Sequence, residues 1–377
     1  MAINNQCAGY CIHVIRSLLR ETPIPAIPET VDLGELYDFS KLHGVEAMVF
    51  HGLEQLEMDE ADPVWQNWQN RAAMLMTQSM VQLAERDVLF AALPESGIRI
   101  LPVKGCWLKE QYPDIDYRQM SDLDILIPRE KAVEARKVMV SLGYSQGDFD
   151  DNPRHTGYLK APYTGVELHT GLLHEDGGYY DDVWNRAVPV GSCPGLYRFR
   201  AEDEYIFYLL HLYKHLNNAG TGIRSVLDSL VYREIYPQMD RDYIRQELEK
   251  WELWELAEDI ETLSDCWFRT GAPVPKELET TAAYILSAGT YGTLENRYRR
   301  RLEKLNCKNP VLRSIVYWTQ RICRPRKEME RSYPVLKKLP LLLPFFWIYR
   351  AVVRFLRNPK GIRHHIAVVF GKENKHG

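Results

Sequence analysis

Long apolar runs are missing from this chain. The longest, Leu339 to Tyr349, is interrupted by Pro340 and Pro344. It falls short of the roughly 20 residues a helix needs to cross a bilayer, so no transmembrane span is expected. The N-terminus lacks a basic segment followed by an apolar stretch, so no secretory signal is expected. Paired cysteines are missing too. The seven present (Cys7, Cys11, Cys106, Cys193, Cys266, Cys307 and Cys323) are scattered, odd in number and form no Cys-x-x-Cys, which argues against a zinc ribbon or a disulfide framework. Reduced thiols in a cytoplasmic protein are the simpler reading. A zinc-protease helix is excluded as well: His211 and His215 lie four apart, but Leu212 stands where the motif needs Glu. Internal repeats and low-complexity tracts are absent.

What is present is a chain of 377 residues with ordinary apolar (45%) and charged (26%) content, long enough for two or three domains. Its net charge of −4 hides an asymmetry. From Asn296 to Gly377 there are 21 lysines and arginines against 4 acids, a net of +17, so the remainder carries −21. Such a basic tail suits an anionic partner: nucleic acid, a lipid surface or the acidic body itself.

Helical periodicity fills residues 1–95. Thr30 to Leu56 is broken near Gly44, and Pro63 opens a long helix that Pro94 and Gly97 end. Residues 96–200 alternate strand and helix. Strands are expected at Ile98–Val103, Leu123–Ile127, His155–Lys160 and Gly165–His169, and helices after Gly105 and over Arg129–Leu142. Helices return over 201–290, followed by a basic helical tail over 291–377. The fold class is therefore α+β: a small mixed sheet flanked by helical regions on both sides. Within the tail, Arg350, Arg354 and Arg357 share one helical face, with Phe345, Ile348, Val352 and Phe355 opposite. That apolar face is expected to pack on the body.

The chemistry-bearing residues lie in the central segment. Residues i and i+2 of a strand point to one side, so Asp122 and Asp124 present two carboxylates together at the rim of the apolar run Leu123–Ile127. Facing charges repel unless a cation sits between them. Hard oxygen ligands suit Mg²⁺, with Mn²⁺ as the alternative. Glu167, in the otherwise apolar Val166-Glu167-Leu168, is the candidate third ligand of a two-metal clamp. Gly105 lies between strand and helix, where a backbone without a side chain can approach a phosphate. Lys104 adds charge beside it, and Arg118 either contacts phosphate or pairs with Asp114, Asp116 or one of the catalytic acids as a positioning residue. Lys214, on the helix Leu209–His215, is a candidate triphosphate contact. Arg224 and Asp228 are spaced to pair along a helix, and His169 and His174 read as packing or hydrogen-bonding residues.

Lys104-Gly105, Tyr112-Pro113-Asp114, Arg118, Ser121-Asp122-Leu123-Asp124-Ile125-Leu126-Ile127 and Val166-Glu167-Leu168-His169 together resemble the bacterial uncharacterised nucleotidyltransferase family of the DNA polymerase beta-type superfamily. The likeness runs over roughly residues 30–235, including Leu42-His43-Gly44-Val45 and Leu209 to His215. It implies attack by an acceptor on the α-phosphate of a nucleoside triphosphate. Asp122, Asp124 and Glu167 would be the metal ligands and catalytic acids. Gly105 would be the phosphate-turn glycine, with Cys106 in place of the serine usual after it; a thiol is the poorer donor. The acceptor expected is a small molecule, a protein or an RNA. The rival reading is a catalytically degenerate nucleotide-binding or scaffold protein, peripheral at a membrane, to which Cys106 and the basic tail point.

Overall fold

A computed structural model of the chain describes residues 5–147, 155–172, 178–191 and 193–293. Beyond these it describes residues 296, 297, 300, 312, 316, 318, 319, 322–326, 329, 330 and 333–357. His174, expected to be a packing residue, lies outside the described residues. The contacts form two compact units: one runs through Lys214 and resumes over Gly222–Thr290, and the other joins His215–Thr221 to the residues from Tyr291 on.

In the first unit the chain enters through helices α1 (Asn5–Leu19), α2 (Leu33–Leu42) and α3 (Glu46–Leu53). Gly44, at φ 64°, makes the break between α2 and α3; a left-handed backbone there favours glycine. Helix α4 (Pro63–Glu95) starts where the sequence says it should: the Asp62 carboxylate accepts from the Val64 and Trp65 N–H groups, and Pro63 fills the first helical position. Such a cap contributes about 1 kcal/mol.

Then come strand β1 (Leu101–Val103), the short helix α5 (Gly105–Leu108), β2 (Asp122–Leu126), α6 (Ala132–Ser141), β3 (Ser145–Gln146), β4 (His155–Lys160) and β5 (Thr164–His169). The sheet order is β1-β2-β5-β4-β3. β2 and β5 are parallel and the other pairs antiparallel, so the expected mixed sheet is observed. β1 is shorter than the expected strand. Ile98 and Ile100 are core residues, but Ile100 makes only an isolated bridge, to Leu196.

One sheet face is apolar. Leu123, Ile125, Val166, Leu168 and Tyr158 pack there with Leu89, Phe90 and Leu93 of α4 and Ala135 and Met139 of α6. Burying a side chain of this size stabilises by about 1.5–3 kcal/mol, and it fixes the register, because a one-residue slip would turn the acids inward. After α7 (Val183–Arg186) and the hairpin β6 (Val188–Pro189)–β7 (Tyr197–Arg198), the unit is completed by α8 (Ala201–Leu216), α9 (Ile223–Ile235), α10 (Arg241–Glu249), α11 (Trp254–Ser264) and α12 (Glu279–Ala288).

In the second unit α13 (Leu343–Arg357) is the longest described helix. It packs through Phe346 on Tyr333, and through Trp347 and Arg350, which donate to the carbonyls of Arg324 and Ile322. This reverses the expectation for its faces. Phe345, Ile348 and Val352 are exposed and Arg350 is half-buried, because the aromatic pair Phe346–Trp347, not the aliphatic stripe, meets the neighbouring chain. The side chains of Arg354, Phe355 and Arg357 lie outside the described residues. No described helix is long and apolar enough to cross a membrane.

Candidate active site

The second face of the sheet carries the acids. The register sets Asp124 beside Glu167 and Asp122 beside Gly165 on the parallel pair β2–β5. Residues at matched positions share a face, so the three expected carboxylates are brought together. Asp124 is buried, while Asp122 and Glu167 are half-buried. Burial, and next the charge of Asp124, push the Asp122 carboxyl up to about 6. Burial would also raise Asp124, but Lys104 and His169 outweigh it and hold that carboxyl well below the usual range.

Lys104 follows directly on Val103, the β1 partner of Asp124. Its Nζ lies 2.8 Å from Asp124 Oδ1. Burial acts to lower its pKa, yet the charges of Asp124, Asp122 and Glu167 win and raise it. The ammonium thus neutralises the acid cluster from within. Its backbone is at φ 55°, ψ −124°, a region that costs a non-glycine residue on the order of 1–3 kcal/mol and persists only where the surroundings enforce it.

The surroundings do so. A Cβ on Gly105 would come within 2.7 Å of Arg118 Nη1 and Met120 Sδ, so this glycine is required by close packing. Arg86, buried beneath the turn, donates from Nη1 to the Cys106 carbonyl at 3.0 Å while pairing with Glu110. Lys109 donates to Ser79 and to the Arg118 carbonyl at 2.9 and 2.8 Å. Cys106 itself turns into the core, its thiol donating to the Asp124 carbonyl at 3.4 Å and pushed up to about 12 by burial, next by the Asp124 charge. Cys106 therefore braces β2 from behind.

The remaining expected residues are spread more widely. Arg118 is buried in a two-point pair with Asp228 of α9, Nε–Oδ1 2.8 Å and Nη2–Oδ2 2.9 Å, and Tyr112 donates to the same carboxylate at 2.6 Å. The Nε–Nη2 edge of the guanidinium is thus engaged with protein. Arg224 reaches the Gln119 carbonyl at 2.8 Å, while Asp228 serves Arg118. Lys214 is exposed on α8. His169 hydrogen-bonds as expected, its Nε2 2.8 Å from Asp124 Oδ1. His155 was not singled out from the sequence. It sits directly across from His169 in the β4–β5 ladder, and the ligand atoms of His155, Glu167 and His169 lie within 4.8 Å of one another. Its only signal in the sequence was its place at the start of an antiparallel hairpin whose register had to be known first.

The family model described as "Uncharacterised nucleotidyltransferase" matches residues 29–269, more than half of the chain. No curated protein matches. Among solved structures, an antigenic nucleotidyltransferase-like protein from Paracoccidioides brasiliensis is similar over 52% of this chain and 95% of its own, at 14% identity and a TM-score of 0.33.

Proposed function

Because the chain belongs to the uncharacterised nucleotidyltransferase family, we propose that it moves a nucleoside monophosphate from a nucleoside triphosphate to an acceptor, using Mg²⁺ or Mn²⁺ held by Asp122, Asp124 and Glu167. The observation that carries this reading is the register of β2 and β5, which lines up Asp124 with Glu167 and leaves Asp122 two residues away on the same face. The donor set fits the ion: three carboxylates, two of them on one strand, are what a hard dication bound partly through phosphate oxygens requires. Such a cation, when bound, neutralises charge on the reacting phosphate.

The residues of the chain do the rest. Asp122 and Asp124 hold the ion, and Glu167 shares it and orients or deprotonates the acceptor hydroxyl. Lys104 gives up Asp124 and turns its ammonium to the triphosphate, and the main chain at Gly105 and Cys106 approaches the phosphates. Arg118 acts as a positioning residue through Asp228, and Lys214 is the contact offered by α8. Nothing in this set selects among a small molecule, a protein or an RNA as acceptor.

A rival reading, a nucleotide-binding protein without turnover, is favoured by the Lys104–Asp124 pair, which occupies a ligand oxygen. One experiment separates the two. The protein is incubated with Mg²⁺, labelled nucleoside triphosphates and a cell extract, and mass spectrometry looks for a nucleotidyl increment. An increment that falls at least about a hundredfold in Glu167→Gln, while nucleotide binding survives, supports transfer. Binding with no increment on any component overturns it.

A further inference from the structure

The cross-strand pair His155–His169 and the neighbouring Glu167 make a donor set of a different kind from the aspartates. His169 and Glu167 are two apart on β5 and share its face, and the ladder brings His155 opposite His169, with ring centroids 5.5 Å apart. The cross-strand partner of Glu167 is Gly157, which adds no side chain beside the carboxylate. The His169 Nε2 lies 3.5 Å from Glu167 Oε2. Two imidazoles and one carboxylate suit a borderline dication better than Mg²⁺, which prefers oxygen alone. We propose that His155, His169 and Glu167 form a site for a first-row transition-metal dication of the zinc and cobalt class, at the β4–β5 edge of the acidic face. The site stands on its own geometry and rests on the proposed activity only in sharing Glu167 with it.

The test is titration of the full-length protein with Co²⁺ and Zn²⁺. Wild type should show the visible bands of nitrogen-and-oxygen-bound Co²⁺ and two exchangeable imidazole N–H resonances shifted by the metal. His155→Gln should lose the bands and at least about tenfold in Zn²⁺ affinity, and Asp122→Asn should keep both. Absence of the shifted resonances in wild type, a result that needs no variant, overturns the site, as does unchanged Zn²⁺ affinity in His155→Gln. Mg²⁺-dependent nucleotide binding, measured in the same His155→Gln protein, reports on the activity separately.

A second observation lies in the other unit. On α13, Phe345, Ile348 and Val352 recur at steps of three and four residues, one helical stripe, and are exposed by 62%, 64% and 51%; Leu341, in the turn Pro340–Leu342 just before the helix, is exposed by 94%. From Arg331 to Lys372 the chain has nine lysines and arginines and no acid. Like-charged tails disfavour a second copy at this face, whereas aliphatic and aromatic side chains amid basic ones match an anionic bilayer. We infer that α13 lies in the plane of an anionic lipid surface.

Full-length protein should co-sediment at least about tenfold more strongly with phosphatidylcholine vesicles containing phosphatidylserine than with phosphatidylcholine alone. At about 1 M salt, where the electrostatic part is screened, Phe345→Ser with Ile348→Ser should abolish sedimentation at unchanged melting temperature. Failure to sediment, sedimentation at about 1 M salt that survives the double substitution, or a dimer or RNA complex dissolved by that substitution without lipid binding would each overturn the assignment.

Discussion

The imidazole of His51 is held between Asp116, 2.9 Å from Nε2, and Glu54, 2.8 Å from Nδ1. The hydrogen bond to Asp116 leads in raising its pKa to about 9, against the lowering effect of burial. A histidine raised above its unfolded value stabilises fully below about pH 6.5 and loses that stabilisation as pH climbs through about 9, here about 2–3 kcal/mol. Urea unfolding at both ends of that window should show wild type losing stability over His51→Gln as pH rises; a pH-independent gap between them would refute the pairing. Lys104 gives a second expectation at this scale. Lys104→Met leaves Asp122, Asp124 and Glu167 facing one another without a cation, so the metal-free protein should melt several degrees lower and recover more on Mg²⁺ addition than wild type does. Equal Mg²⁺ increments in a melting assay would show that Lys104 does not neutralise the cluster. The aspartate pair was legible because period-two alternation acts over three residues. The Arg118–Asp228 bond spans 110 residues, and no local pattern carries information across that distance.

Elements show where local rules suffice. The limits of α4 follow from Asp62, Pro63 and Gly97, and those of β4 from the hairpin turn, since each depends on backbone preferences of adjacent residues. The order β1-β2-β5-β4-β3 does not, because the parallel neighbour of β2 is chosen by which strand faces can bury Leu123, Ile125, Val166 and Leu168 together. The π-helical turn Asp265–Thr270 likewise has no period of its own to read. The turn between β1 and α5 is the element on which the site depends, and it is held by packing. Gly105→Ala forces a Cβ to within 2.7 Å of Arg118 and Met120, an overpacking that should cost about 1–3 kcal/mol. Arg118→Met strands the buried Asp228 carboxylate and should cost about 3–5 kcal/mol. Denaturant midpoints measure both. If Arg118→Met instead keeps its stability and loses only nucleotide affinity, Arg118 is a ligand contact and not a positioning residue.

At the scale of the whole molecule, charge is divided between a body of −21 and a tail of +17, and the division was readable by counting. Which face of α13 would be open was not, because Phe346 and Trp347 outcompete the aliphatic stripe for the neighbouring chain, and both sets are apolar in sequence. The two features act on a lipid surface in different ways. Basic residues near an anionic bilayer contribute about 1 kcal/mol each, but through a field screened over about 10 Å at 0.1 M salt and about 3 Å at 1 M. Leu341 and the stripe Phe345, Ile348 and Val352 contribute by leaving water, which salt does not weaken. Vesicle binding should therefore have two separable parts. Raising salt from about 0.1 to about 1 M should weaken it at least tenfold without abolishing it, and the residue should vanish in the Phe345→Ser, Ile348→Ser protein. Arg354→Glu with Arg357→Glu should weaken the salt-sensitive part and leave the salt-independent binding unchanged. Vesicle affinity in wild type that does not change with salt would mean that the +17 of the tail serves something other than the bilayer.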